Sequence, residues 1–149
     1  MIDVAYVALG SNMGDRYGHL ASARRALAEL PTSRIIAESS IEETAPLGGL
    51  EQPLYLNQMV AIETSLTPHE LLVRLQAIEA ENGRQRHSPR PVAGPAGRWS
   101  PRTLDLDIVC YQQQSVHEPD LLVPHPGLAD REFWQRELAE LRGGGESER

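Results

Sequence analysis

Residues 102–111 read Arg102-Thr103-Leu104-Asp105-Leu106-Asp107-Ile108-Val109-Cys110-Tyr111, an apolar run that carries two acids. The run is typical of a buried strand, in which residues i and i+2 point to one face, so both carboxylates should project side by side. Two like charges this close are unfavourable unless one is protonated or a cation lies between them. Magnesium suits such a pair because it binds one or two carboxylates and shares its other positions with phosphates and water. Arg102, on the same side, could grip phosphate, so the stretch indicates nucleotide phosphate chemistry.

The spacing of apolar residues before this strand predicts three more strands, at 3–9, 34–44 and 55–66. One helix follows a cap at Asp15 and closes at Pro31; a second begins with the capping box of Thr67 and Glu70 and ends at Gly83. The order β-α-β-β-α-β predicts an α+β, ferredoxin-like fold: an antiparallel sheet with helices packed on it. A C-terminal helix near 130–141 follows, so we expect a single domain over 1–142 and a disordered tail over 143–149.

Charge and composition exclude several classes of protein. The chain has 149 residues and a net charge of −7, and all 14 basic residues are arginine. The absence of lysine excludes a lysine Schiff base and a lysine-dependent phosphate loop. An acidic total argues against a nucleic-acid partner, whereas the local cluster at Arg84, Arg86, Arg90, Arg98 and Arg102 favours an anionic small molecule. The single cysteine, Cys110, and the lack of a long apolar segment predict a cytoplasmic protein without a membrane partner.

Each candidate residue also has an ordinary structural explanation. Two acids on one strand face often simply meet solvent, although the neighbouring arginines favour the metal hypothesis here. Asn57 can satisfy loop backbone, and His125, between two prolines, can contact a phosphate or simply pack. The other four histidines show no ligand spacing, so we do not expect a zinc site.

Several motifs in order along the chain resemble one known family. They are Ala8-Leu9-Gly10-Ser11-Asn12, Glu43-Thr44-Ala45-Pro46-Leu47-Gly48, Tyr55-Leu56-Asn57, the long stretch from Arg98 to Ile108, Val123-Pro124-His125-Pro126 and Arg131-Glu132-Phe133. Together they resemble the 6-hydroxymethyl-7,8-dihydropterin pyrophosphokinases of folate biosynthesis. The stretch from Trp99 to Asp107 is the most specific of them.

The resemblance implies transfer of diphosphate from ATP to the hydroxymethyl group of the pterin, with release of AMP. It implies that Asp105 and Asp107 hold two magnesium ions and that Arg84 and Arg102 are catalytic. The positions that match the ATP site are Gln76, Glu79, Arg86, Trp99, Ile108, His125 and Arg131. Those that match the pterin pocket are Thr44, Ala45, Pro46, Leu47, Tyr55, Asn57 and Phe133. No residue stands out as a strong general base, so positioning and electrostatics should supply most of the rate.

Two other classes of function remain open at this stage. One is a ferredoxin-like ligand-binding or regulatory module without catalysis, because a fold does not determine a function. The other is a metal-dependent nucleotidyl transferase that acts on nucleic acid, which also uses paired acids. The first does not explain why Arg102, Asp105 and Asp107 converge, and the second lacks a basic track. We expect a monomer. The 87–98 loop is longer than in the short bacterial members of the family, and the C-terminal part is shorter than in many members.

Overall fold

A computed structural model describes residues 2–45, 54–82 and 103–147 of the chain. The strands are β1 (Asp3–Ser11), β2 (Ser33–Glu38), β3 (Glu42–Thr44), β4 (Tyr55–Thr64), β5 (Asp105–Tyr111), β6 (Val116–Glu118) and β7 (Leu121–Val123). The helices are α1 (Arg16–Ala28), α2 (Pro68–Glu81) and α3 (Glu132–Ser147), with a short 3-10 helix at Pro126–Asp130. No helix among the described residues is long and apolar enough to cross a membrane.

The main sheet is antiparallel and confirms the ferredoxin-like prediction. Its strand order is β2-β4-β1-β5, with β3 also paired to β4, and β6 and β7 form a separate hairpin. Helices α1 and α2 cover one face through Leu20, Leu27, Leu71 and Leu75. Helix α3 packs on the opposite face through Trp134 and Leu138. The two central strands, β1 and β4, are therefore buried on both sides, which is why they lack the alternation of a half-exposed strand.

Local sequence signals account for the helix starts. The Asp15 side chain caps α1 by accepting from the Gly18 N–H at 3.0 Å. The capping box of α2 is present as predicted, with the Glu70 N–H donating to Thr67 Oγ1 (3.2 Å) and the Thr67 N–H to Glu70 Oε1 (2.9 Å). Helix α1 ends at Ala28, before Pro31, and α2 ends with a cap at Asn82. The predicted end at Gly83 lies outside the described residues.

Two strand predictions need correction. The expected single strand over 34–44 is broken between β2 and β3, because Ser39 uses its side chain in the ladder. The Ser39 N–H donates to Met59 O (2.8 Å), but the Met59 N–H donates to Ser39 Oγ (2.9 Å) instead of a backbone oxygen. Strand β1 runs past the predicted end at residue 9, because Gly10 and Ser11 pair with Asn57 and Leu56 of β4.

The C-terminal helix also differs from the prediction. It begins at Glu132 and continues to Ser147, past the expected end at residue 141 and into the segment for which the sequence predicts a disordered tail. The sequence also left open which face of the sheet this helix would cover. It lies opposite α1 and α2, against Tyr6, Ala8, Met59 and Val109. The predicted limits of the domain stay a prediction.

Candidate active site

The acid pair lies on the sheet face that α3 partly covers. Asp107 is paired with Ala8 of β1, and Asp105 is paired with Gly10. Because directly paired residues point to the same face, both aspartates share the face of Ala8, whereas Leu106 between them points into the α1/α2 core. Both acids are half-buried, and the Asp107 side chain is 43% exposed. The structure therefore gives the side-by-side arrangement that the spacing predicts.

Helix α2 fixes the backbone between the two acids. The Glu79 side chain accepts a hydrogen bond from the Leu106 N–H at 2.7 Å. Strand β5 lies at one end of the strand order β2-β4-β1-β5, so a residue of α2 here satisfies a backbone donor of that strand. Gln76 lies three residues earlier on α2 and is exposed. This contact holds the edge of β5 against α2, next to the acids.

His125 lies beside Asp107 with a defined proton position. Its N–H donates to Val109 O (2.8 Å), and its Nδ1 accepts from the Gly127 N–H (2.9 Å). Burial, and then the charge of Arg131, lower the pKa of His125, so the ring is neutral at pH 7. A neutral ring whose Nδ1 accepts must carry its proton on Nε2, which lies 4.0 Å from Asp107 Oδ1. His125 therefore presents an N–H donor towards the acid pair.

Trp134 organises the side chains around His125. Its indole meets the His125 ring edge to face, with centroids 4.9 Å apart and an interplanar angle of 88°. The Arg131 guanidinium lies 4.3 Å from the centre of the same indole. Trp134 is buried, and Phe133 packs partly buried beside it with ring centroids 6.3 Å apart. Sequence reasoning missed Trp134; its place next to Phe133 in the C-terminal helix was the only signal.

A cavity of about 260 Å³ opens beside the acid pair. Its walls come from α2, β5, the β6–β7 hairpin and the segment after it: Leu72, Ile108, Leu121 and His125, together with Asp107. Mostly apolar walls with a few polar groups at one end are typical of a site for a flat, partly polar ligand. The cavity thus places an apolar pocket next to the Asp107 carboxylate.

A second polar group lies across β1 from the acids. Asn57 of β4 pairs with Gly10, whose other neighbour is Asp105, so Gly10 alone separates the amide from the acid. The Asn57 Nδ2 donates to Thr44 Oγ1 at 2.6 Å, and Asn57 is only 7% exposed. A Cβ on Gly10 would come within 3.3 Å of Asn57 Oδ1 and 3.6 Å of Tyr55 Cδ1. The glycine therefore keeps the surface between Asn57 and Asp105 clear.

Arg16 at the start of α1 ties together the residues that flank 46–53. Its guanidinium donates to Glu43 Oε2 and to Leu54 O, both at 2.9 Å. Thr44 and Tyr55, which are paired on β3 and β4, are half-buried, and Ala45 is exposed. Among the predicted pterin residues, the structure thus groups Thr44, Tyr55 and Asn57 on adjacent strands.

Some predicted site residues lie outside the described part of the chain. They are Pro46, Leu47, Arg84, Arg86, Trp99 and Arg102. The roles proposed for them stay predictions.

One cluster of possible metal ligands was not expected from the sequence. His69 Nε2 lies 3.2 Å from Glu118 Oε1 and 3.4 Å from Asp120 Oδ1. One ligand atom from each of these three residues lies within 4.8 Å of the other two. All three side chains are largely exposed, so these are surface polar contacts that tie the β6–β7 hairpin to α2.

Comparison with known proteins gives consistent matches over nearly the whole chain. The profile of the 7,8-dihydro-6-hydroxymethylpterin-pyrophosphokinase (HPPK) family matches residues 6–143. The chain is 42% identical over 141 residues to the 2-amino-4-hydroxy-6-hydroxymethyldihydropteridine pyrophosphokinase of Bacillus subtilis (strain 168), covering 95% of this chain and 79% of that one. The protein of the same description from Pseudomonas aeruginosa is 41% identical, covering 95% of this chain and 82% of the relative.

A solved structure supports the fold independently. A crystal structure described as HPPK-DHPS in complex with substrates superposes with a TM-score of 0.67. The similarity covers 95% of this chain and 40% of that one, at 14% sequence identity. At this identity the likeness shows the fold alone.

Proposed function

Because the chain belongs to the 7,8-dihydro-6-hydroxymethylpterin-pyrophosphokinase family, we infer that it is an ATP-dependent pyrophosphokinase of folate biosynthesis. It transfers diphosphate from ATP to the hydroxymethyl group of 6-hydroxymethyl-7,8-dihydropterin and releases AMP. The observation that carries a specific site is the position of two carboxylates next to a cavity and, across one glycine, to a buried amide. Two substrates could lie there side by side, one at the β5 edge and the other on the sheet face that α3 partly covers.

The donor set of Asp105 and Asp107 fits magnesium. Successive residues of a strand advance by about 3.3 Å, so the two Cα atoms lie about 7 Å apart and both carboxylates can reach one ion or two adjacent ions. Half-exposed carboxylates leave room for the water and phosphate oxygens that magnesium retains. Enzymes of this kind generally use Mg²⁺, and we propose two ions bound with ATP. When bound, the metal would neutralise phosphate charge and polarise the β-phosphorus.

The cavity is the proposed ATP site. Leu72, Ile108 and Leu121 would pack against the adenine, and the Nε2–H of His125 points towards the position of the phosphates beside Asp107. Arg131, which stacks on Trp134, places a permanent positive charge nearby. Glu79 would act by holding β5 in place through the Leu106 N–H. We include Gln76, Arg86 and Trp99 in the ATP site on the strength of the resemblance.

The pterin is proposed to bind at the ends of β3 and β4. The Asn57 amide offers a donor and an acceptor in one plane, which suits the edge of a pterin ring. Tyr55 supplies aromatic surface beside Asn57, and Phe133 of α3 lies on the same sheet face. With Thr44, Ala45, Pro46 and Leu47 on the loop side, the hydroxymethyl group would face Gly10 and the acid pair beyond it.

The reaction then needs little covalent chemistry from the protein. The residues would hold the hydroxymethyl oxygen in line with the β-phosphorus and keep water away from it. Arg84 and Arg102 are proposed to stabilise charge on the phosphates as the bond to AMP breaks. The described residues offer no strong base within this site, since His125 already carries its proton on the nitrogen nearest Asp107.

The test is to incubate the protein with ATP, Mg²⁺ and 6-hydroxymethyl-7,8-dihydropterin and to quantify nucleotides and pterin diphosphate. We expect AMP and pterin diphosphate in equal amounts. Release of ADP, or no AMP from folded protein, would contradict the proposal. Asp107→Ala should abolish turnover while the thermal unfolding transition persists; retained turnover would refute the metal assignment alone.

Family membership decides against the two alternative functions, a non-catalytic module and a nucleic-acid transferase. A monomeric state and a cytoplasmic location stay predictions.

A further inference from the structure

Glu137 is a buried acid for which the proposed reaction has no use. It lies on α3, is 1% exposed, and neither of its carboxylate oxygens has a hydrogen-bond donor among the described residues. A buried carboxylate without a donor is strongly unfavourable, so the group must either be neutral or find a proton to share. Such an arrangement calls for an explanation, because the face of α3 that carries it is otherwise apolar.

Glu42 of β3 lies within hydrogen-bonding reach of Glu137. Burial, followed by hydrogen bonding and charge repulsion from Glu42, raises the pKa of Glu137 to about 9. Burial alone would raise the pKa of Glu42, but its hydrogen bonds with Glu137 and Arg136 outweigh burial and lower that pKa. At neutral pH the pair therefore holds one proton, on Glu137, which can donate to the ionised Glu42. Glu137 therefore has no hydrogen-bond donor to accept from when it is ionised, but it can donate to Glu42 when it is protonated.

The charged groups around the pair support that assignment. Arg136, also on α3, donates to Glu42 Oε1 at 2.8 Å and so stabilises the ionised form of Glu42. Glu140 on the same helix adds negative charge, which opposes ionisation of Glu137. Other titratable or charged groups on this sheet face include Tyr6, Cys110, Asp105 and Asp107, with Arg142 of α3 over the Tyr6 ring. Burial raises the pKa of the Cys110 thiol, which is therefore neutral.

The pair joins two parts of the proposed pterin pocket. Glu42 is paired directly with Asn57, whose amide donates to Thr44 Oγ1. Phe133 lies four residues before Glu137, one turn earlier on the same side of α3. A second contact reinforces this junction, because Glu140 accepts from the Ser40 N–H (3.0 Å) and Oγ (3.1 Å). Movement of α3 away from β3 would therefore separate Phe133 from Asn57.

We propose that protonated Glu137 is a positioning residue for the pterin: by donating its carboxyl proton to Glu42, it holds α3 against β3 and sets the spacing between Phe133 and Asn57. The expected effect on pterin binding rests on the proposed function, whereas the protonation of Glu137 does not. When Glu137 ionises, two adjacent carboxylates repel each other at the junction, and the pocket opens on the pterin side. The ATP side is built mainly on α2, β5 and the β6–β7 hairpin and meets α3 at its first turn, through Trp134, so it should be affected less.

The kinetic test compares the wild type with Glu137→Gln between pH 7 and 10. Glutamine keeps the shape and can still donate to Glu42, but it does not titrate. We expect the KM for the pterin of the wild type, divided by that of Glu137→Gln, to rise at least fivefold as pH passes through about 9. The same ratio for ATP should rise by less than half as much. Taking the ratio cancels the titration of the pterin itself. Glu29→Gln, which removes an exposed acid at the end of α1, should keep the rise.

A constant pterin ratio over this range, or an equal rise for both substrates, would overturn the proposal. A direct reading of the proton does not depend on turnover: in ¹³C NMR the carboxyl carbon of Glu137, assigned by its loss in Glu137→Gln, should titrate far above the ordinary value for glutamate, which is about 4.3. Titration near that ordinary value would refute the proposal even in an active enzyme. Failure to release AMP, by contrast, would refute the proposed function and leave the NMR result to decide on the proton.

Discussion

Replacement of Gly10 by alanine should weaken pterin binding and spare ATP. The new Cβ would lie 3.3 Å from Asn57 Oδ1, which is closer than an ordinary contact. The side-chain amide of Asn57 must therefore shift by a few tenths of an ångström. That movement strains the 2.6 Å bond from Asn57 Nδ2 to Thr44 Oγ1. A hydrogen bond contributes about 0.5–1.5 kcal/mol net, and 1.4 kcal/mol corresponds to a factor of ten. We therefore expect the KM for the pterin to rise about two- to tenfold.

Gly127→Ala is the matched control on the ATP side. Its Cβ would lie 3.1 Å from His125 Nδ1 and from the Arg131 guanidinium, so the KM for ATP should rise and that for the pterin should not. Both changes restrict the unfolded chain, which stabilises the protein by about 0.4–1 kcal/mol and offsets part of the local strain. Steady-state kinetics with one substrate saturating separates the two KM values. If Gly10→Ala raised the KM for ATP as much as that for the pterin, the separation of the pterin site from the ATP site would be wrong.

Three further predictions address the metal, the fold and the histidine. Asp107→Asn removes a charged metal ligand and should lower kcat at least 100-fold. The melting temperature should not change, because the side chain is partly exposed. A decrease in kcat below tenfold would place the metal elsewhere. Thr67→Ala removes the capping box. It should lower the free energy of unfolding by about 1 kcal/mol and Tm by about 2–4 °C, with unchanged kcat. An unchanged Tm would contradict the role of the cap. The pKa of His125 is lowered below 6.5 in the folded state, so protonation of the ring opposes folding. The free energy of unfolding of the wild type, minus that of His125→Gln, should therefore fall as the pH is lowered from 7.5 to 5.5. Urea titrations at the two pH values measure it, and a constant difference would show that the ring is not held neutral.

Local signals in the sequence were sufficient for much of the fold. The capping box at Thr67 and Glu70 and the two-residue spacing of Asp105 and Asp107 each depend on neighbours within one element, so the pattern predicts them directly. The order of elements also leads to the ferredoxin-like sheet, because few topologies accommodate it. The motifs from Trp99 to Asp107 added the family, which the fold alone does not give.

Features that depend on pairing between distant residues could not be predicted in this way. Ser39 interrupts the strand over 34–44 through a bond with Met59, and nothing in the local pattern indicates that exchange. Gly10 resembles a turn residue until its partners on both sides are known. Trp134 and Glu137 gain their roles from the face of the sheet that α3 covers, which depends on tertiary packing.

The most direct test of the site is paramagnetic relaxation by Mn²⁺, which can replace Mg²⁺, in the presence of a non-hydrolysable ATP analogue. With the metal at the acid pair, we expect strong broadening of the backbone amides of Ala8, Gly10 and Leu106, which lie beside or between the two acids. The amide of Ile35, on the far strand of the sheet, should stay sharp. Asp105→Asn combined with Asp107→Asn should remove the broadening. Broadening centred on His69, Glu118 and Asp120, or unchanged in the double variant, would contradict the assignment of the metal to the acid pair.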